Sequence, residues 1–219
     1  ELTKRACSRA QETHFDKRLN KTVTMARQVP VLINYSLGKK RFEKVPDEYD
    51  LTLIERIEGM DAPYWYPTDE LPRGYNTEQP KRSHGITHVH QFYTRRNLVS
   101  LASFWQKGLG KNLHRLLVWL TSGMIRTTKM YKYMPTLRNG QLVDRRTGTV
   151  NGTLYLPSLS DENSVSDLLS RKIADFSFTI NTSMLLSTQS LSTFYHLNSN
   201  SIDYVFPDPP FGSNLNYSE

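Results

Sequence analysis

The sequence has a single cysteine, Cys7, so an internal disulfide is excluded, as is a zinc site built from several cysteines within these residues. That scarcity fits a reducing compartment, and the expected location is cytoplasmic. Long apolar runs are also missing. The longest, 116–125, has ten residues, half of the ~20 that a membrane helix needs. The opening Glu-Leu-Thr-Lys-Arg-Ala contains no apolar signal core, so no membrane association is expected. Acidic residues are in short supply, 21 against 28 Lys and Arg, which leaves a net charge of +7 and favours polyanionic partners. What is present in quantity is core-forming material. Apolar residues make up 37% of 219 positions and aromatics 11%, enough for one or two packed domains.

The most informative stretch is 201–219. Ile202, Val205 and Phe206 belong to a short apolar, β-branched and aromatic run that stops at Pro207, the pattern of a buried strand ending in a rigid turn. Asp208-Pro209-Pro210-Phe211 follows, at the carboxyl end of that strand, where open α/β sheets place ligands. Two prolines remove amide hydrogens and leave carbonyls free to accept, and Asp208 adds a carboxylate acceptor. A planar exocyclic amine is the matching donor. One of its hydrogens is directed to Asp208 and the other to the Pro209 carbonyl, with the base stacked on Phe211. Read as a bare tetrapeptide, Asp-Pro-Pro is an ordinary turn.

With its flanks, Asp203-Tyr-Val-Phe-Pro-Asp-Pro-Pro-Phe-Gly-Ser-Asn-Leu-Asn-Tyr-Ser-Glu219, the turn resembles that of a bacterial group of large site-specific DNA amino-methyltransferases. That family carries Asp/Asn/Ser-Pro-Pro-aromatic after a sheet strand, and typically Thr where this chain has Pro207. Gly85-Ile-Thr-His-Val-His-Gln-Phe-Tyr-Thr-Arg-Arg-Asn-Leu98 and the segment 152–160 are similar to further family segments. The resemblance implies an enzyme that uses S-adenosylmethionine to methylate an exocyclic base amine, of adenine in preference to cytosine. It implies Asp208, Pro209, Pro210 and Phe211 as the catalytic turn and places Gln189 and Ser190 near the adenosine of the cofactor. The expected fold class is α/β, a mixed α+β fragment with a partial Rossmann-like methyltransferase sheet and a helical, loop-rich insert. The implied partners are DNA, the remainder of the same polypeptide, and a restriction or defence-system component. The family's glycine-rich donor loop is absent from these residues, so the isolated segment is expected to be inactive. Both ends look cut, and Leu2-Thr3-Lys4 is similar to the stretch that follows a cysteine-rich ribbon in that family.

Two regions are expected, 1–150 as an insert with DNA-recognition character and 151–219 as the partial catalytic domain. Within the first, Ala10, Phe15, Leu19, Val23 and Ala26 describe an imperfect helical stripe over 1–28. Residues 30–44 read as a hairpin turning at Gly38, and Asp50 as the cap of a helix ended by Gly59. The run 62–85, with five prolines or glycines before Gly85, reads as a long loop carrying Tyr64, Trp65, Tyr66 and the pair Lys81 and Arg82. A loop of that kind attracts bases and phosphates, or is pinned to the core by its aromatics.

His88 and His90 alternate on an extended piece. No third ligand is visible for a metal, and hydrogen bonding or nucleic-acid contact is the expectation. Thr94 caps a helix whose first turn holds Arg95 and Arg96, cations that oppose the helix dipole and so face a phosphate, a carboxylate or solvent. Gly108-Leu-Gly110 is a helix–helix break, since it follows a helix and lacks the remaining glycine spacing of a nucleotide loop. Helix 112–127 then leads to Arg126, Lys129 and Lys132, interleaved with Tyr131 and Tyr133, and on to a loop with Arg138, Arg145 and Arg146. These cations suit a DNA backbone or simply solvation. Helix 163–178 follows. The alternatives to a DNA methyltransferase are a DNA-binding or target-recognition module without catalysis, and a methyltransferase acting on RNA or a protein amide.

Overall fold

A computed structural model describes residues 9–110, 113–173 and 198–207. The chain divides into two compact units, Glu1–Phe176 with Glu219, and Ser177–Ser218. The described residues are mixed α and β, with five α-helices and three two-stranded antiparallel sheets. None of these helices is long and apolar enough to cross a membrane.

The first unit opens with a hairpin, β1 (Gln11–Asp16) against β2 (Lys21–Ala26). This corrects the helical stripe expected over 1–28. Thr13, Thr22, Val23 and Thr24 favour a pleated surface, and Asp16 builds the turn by accepting from the Arg18 and Leu19 amides at 3.0 and 3.2 Å. Asn20 completes it in the left-handed region at φ 52. The register faces Asp16, His14 and Glu12 with Lys21, Val23 and Met25, and Met25 is buried in the core.

The hairpin at 33–44 forms as expected, β3 (Ile33–Leu37) and β4 (Lys40–Lys44) joined by Gly38 and Lys39, with Gly38 at φ +62. Helix α1 (Glu48–Gly59) starts earlier than expected. Asp47 is the cap, and Asp50 is its reciprocal partner in a capping box with both bonds at 3.0 Å.

The second half of the expected loop is a helix, α2 (Tyr75–His84), with Pro80 buried inside it. Pro80 is the sixth residue of α2, past the first turn, so its missing amide removes one bond from the interior of the helix. Glu78 N–H and the Thr77 hydroxyl both donate to the Gly74 carbonyl, which anchors the first turn. Gly85 ends α2 at φ +71. A β-carbon there would lie 2.2 Å from the Thr24 carbonyl oxygen of β2, so glycine is required by conformation and by close packing.

Val89–Phe92 is a single 3-10 turn, and α3 (Arg95–Gly108) begins where expected, with the Thr94 hydroxyl accepting from Asn97 N–H. The break at 108–110 also holds, and α4 (Leu113–Met124) runs into a 3-10 turn, Ile125–Thr127. The expected cationic loop is instead a third hairpin, β5 (Lys132–Arg138) and β6 (Gln141–Gly148), turning at Asn139 and Gly140 with φ 51 and 76. Residues 152–160 form no strand beyond a bridge between Lys132 and Ser160. Helix α5 (Val165–Ile173) closes the unit.

Three apolar clusters hold the unit together. Met25, Leu71, Ile86, Phe92 and Leu156 form the first, and Leu101, Leu116, Leu120, Val165 and Leu169 the second. Ala62, Tyr66, Leu98 and Ala102 form the third, and Tyr93 packs against all three. Residues 151–173, expected to open the catalytic domain, therefore share cores with residues before 150 through Leu156, Val165 and Leu169. Burying a leucine such as Leu169 contributes on the order of 2 kcal/mol.

In the second unit, the strand expected over 202–206 is absent. Those residues are irregular, and Ile202, Tyr204, Val205 and Phe206 are exposed. A strand pattern needs a ladder to pair with, and no described residue provides one.

Candidate functional site

Interacting ionisable residues are brought together from the end of β1 (Asp16), the end of α1 (Glu58), the end of α2 (His84), the 3-10 turn (His90) and Lys129. His90 Nε2 bonds Asp16 Oδ2 at 2.8 Å, and the two side chains are 6% and 10% exposed. Burial lowers the pKa of His90 despite the carboxylate and its hydrogen bond, so the imidazole is neutral and donates from Nε2. Burial alone would raise Asp16. The His90 bond and the Arg18 and Leu19 amides outweigh it, and its pKa falls below the ordinary value. The remaining nitrogen, His90 Nδ1, is buried without a partner among the described residues. The pair therefore presents no reactive nitrogen to solvent and fastens the β1–β2 turn to 86–93.

Arg18 extends this fastening. Its guanidinium donates to the Ala62 and Tyr64 carbonyls at 2.9 Å each and stands 5.1 Å from the Tyr66 ring centroid. Thus Tyr64 and Tyr66 are pinned to the body of the protein, whereas Trp65 between them is exposed.

Lys129 sits at the centre of the charges. Its amide donates to the Phe92 carbonyl at 2.7 Å, and its ammonium feels Glu58, Glu12 and Glu162. Burial exceeds their attraction and lowers its pKa. Glu58 moves the other way: burial raises it against the pull of Lys129 and a hydrogen bond from the Arg95 amide. His84 is held to about 4, by burial first and then by Arg9 and Lys129.

The other cations singled out in the sequence fall into two groups. Lys81 donates to the Leu71 and Pro72 carbonyls and to Glu78, so it secures the loop before α2. Arg95 donates to the Met60 carbonyl, at 2.6 Å from Nη2, and to the Tyr66 hydroxyl. His88 bonds the Thr87 hydroxyl and lies 5.9 Å from His90, ring to ring. Against these, Arg82, Arg96 and Arg126 are exposed and Lys132 is half-buried. Arg82 reaches the Glu78 carbonyl, and Arg96 pairs with Glu162 at 3.1 Å.

Arg96 and Arg126 are brought near each other by Asn97, whose amide donates to the Thr127 and Asn163 carbonyls. Asn163 in turn donates to the Arg126 carbonyl. Beside this node a half-open polar pocket of about 180 Å³ is lined by Arg96, Asn97, Ser100, Ser164, Val165 and Ser166. Among the described residues, no three His, Cys, Asp or Glu side chains are grouped to hold a metal. Gln189 and Ser190, and Asp208, Pro209, Pro210 and Phe211, lie outside the described residues.

Asp16, Arg18, Glu58 and Asn97 were not singled out by sequence. Asp16 and His90 are 74 positions apart, so only the fold joins them. Asn97 alone carried a signal, a polar residue on the apolar side of α3 beside Leu98 and Leu101. Comparison with protein-family models, curated proteins and solved structures finds no match to this chain.

Proposed function

We propose that this chain is part of an S-adenosylmethionine-dependent DNA amino-methyltransferase, directed to adenine in preference to cytosine. The observation that carries the reading is Asp208-Pro209-Pro210-Phe211 within the flanks of 203–219. Asp208 and the Pro209 carbonyl accept the two hydrogens of the target amine, which leaves its lone pair free for attack. Pro210 limits backbone movement, and Phe211 stacks on a base taken out of the helix. S-adenosylmethionine, when bound, supplies an electrophilic methyl group, and the protein's share is positioning rather than a covalent intermediate. Gln189 and Ser190 are assigned to its adenosine. The Gly108-Leu109-Gly110 run lies between α3 and α4 and does not fit a donor-binding loop, which follows a strand. In this reading the donor loop and the other strands of a Rossmann-like sheet come from the remainder of the same polypeptide.

A second reading is a recognition module without catalysis of its own, favoured by the exposed Arg96 and Arg126 around the Asn97 node. Methyl transfer to unmethylated DNA separates the two. The parent polypeptide transfers methyl groups, and Asp208→Ala and Phe211→Ala each reduce transfer at least ~100-fold, the scale of losing a positioning contact. Transfer that is insensitive to both substitutions refutes the catalytic assignment. Transfer to RNA or a protein amide, with DNA untouched, replaces the substrate.

A further inference from the structure

The two hairpins β3–β4 and β5–β6 hold most of the protein's excess charge. Residues 33–44 and 132–148 each contain four cations and one carboxylate, so 29 residues account for six of the seven net positive charges. Several of these cations are already matched. Lys44 pairs with Asp47 and Asp50, Arg146 with Asp144, and Arg145 with Glu43, the last pair tying one hairpin to the other. Lys39, Lys40, Arg41, Lys132 and Arg138 have no carboxylate partner among the described residues.

Among the described residues each hairpin is a two-stranded sheet, and the second is extended only by the bridge between Lys132 and Ser160. From Asn34 to Glu43 the first ribbon is exposed on both faces. One face is mainly apolar, with Tyr35 stacked on Phe42 at 5.4 Å and Leu37 at 73% exposure beside the turn, where Lys40 stands opposite it. The other face is polar, since the register sets Asn34 opposite Glu43 and Ser36 opposite Arg41. An isolated two-stranded ribbon is marginal in water. One that projects unmatched cations from its turn has the composition of a polyanion-binding element. Its dimensions agree: two strands lie ~4.8 Å apart, and a major groove ~12 Å wide admits a two-stranded β-ribbon.

We infer that the turn of β3–β4 docks in a groove of duplex DNA. Lys39 and Lys40 meet phosphates, Arg41 lies on the polar face toward base edges, and Arg138 of the second hairpin reaches the flanking backbone. The choice of DNA as the polyanion rests on the methyltransferase reading; the charge distribution and the ribbon geometry do not.

The test is binding of a fluorescently labelled duplex to the full chain across a salt series. Lys39, Lys40 and Arg138 at the backbone give a log–log salt slope of about −2.7 at ~0.9 per phosphate contact. Lys39→Ala, Lys40→Ala and Arg41→Ala combined lower the slope by about 1.8, and the two lost phosphate contacts alone weaken binding roughly 60-fold near ~0.1 M salt. The charge-keeping variant Lys39→Arg, Lys40→Arg, Arg41→Lys retains the slope, which excludes misfolding as the cause. An unchanged slope in the alanine variant, no duplex binding at low salt, or tighter binding to a single strand of equal length overturns the inference. Failure here is separable from failure of the proposed function. Methyl transfer lost in Asp208→Ala with an unaltered salt slope in the hairpin variant removes only the docking surface. A hairpin-dependent slope without methyl transfer removes only the catalysis.

Discussion

Replacing Gly85 by Ala tests whether α2 and the β1–β2 hairpin are packed as described. Two costs arise. The left-handed conformation at φ +71 penalises a β-carbon by roughly 1–2 kcal/mol. The added carbon would sit 2.2 Å from the Thr24 carbonyl oxygen and 3.2 Å from Met25 Cα, both of them backbone atoms. Relief requires β2 or the end of α2 to move by about 1 Å, an overpacking that costs roughly 1–3 kcal/mol. The unfolded chain loses entropy with Ala, which returns about 0.4–1 kcal/mol. The net expectation is a loss of about 2–4 kcal/mol in urea unfolding. Gly38 provides the control: its φ is +62, and nothing lies within 4 Å of the β-carbon position. Gly38→Ala therefore meets the conformational term alone and loses about 1 kcal/mol or less. Equal losses in the two variants would refute the close approach of α2 to β2.

Asn97→Ala, at a side chain 1% exposed, strands the Thr127 and Asn163 carbonyls. The expected cost is about 2–4 kcal/mol, and a change below ~0.5 kcal/mol in a denaturation midpoint would contradict the node. Acid should also destabilise the fold. His84 and His90 have folded pKa values below 6.5, so the unfolded chain binds their protons first and stability falls as pH drops from 6.5 towards about 4. Asp16, depressed below 3.8, adds a further loss below that value. Urea midpoints at pH 7 and pH 5 check this, and His84→Asn with His90→Asn flattens the dependence; a midpoint that rises on acidification contradicts it.

Local chemistry made part of the fold readable. Gly38 between β-rich runs specified the β3–β4 hairpin, and Thr94 before Leu98 and Leu101 specified α3 with its cap. The same kind of reading failed where two periods coincide. Phe15, Leu19 and Val23 are spaced as a helix face, yet the turn built by Asp16 and Asn20 makes the segment a hairpin. Pro80 suggested a loop, yet α2 carries it past its first turn with its ring buried. The apolar, β-branched run over 202–206 has strand composition, but a strand also needs a neighbour, which no local pattern reports. For the candidate site the limit is sequence separation. The partners of His90, Arg95 and Lys81 include a distant carboxylate and main-chain carbonyls, so three side chains read as nucleic-acid contacts also serve the fold's own hydrogen bonding.

The central claim is that Asp208-Pro209-Pro210-Phe211 receives the amine of a DNA base. Nucleoside mass spectrometry of genomic DNA from cells producing the parent polypeptide, beside cells producing its Asp208→Ala form, addresses it most directly. The account predicts N6-methyladenine, or failing that N4-methylcytosine, in the first sample and neither in the second. Methylated base in equal amount in both, or in neither while the folded protein binds S-adenosylmethionine, would contradict it.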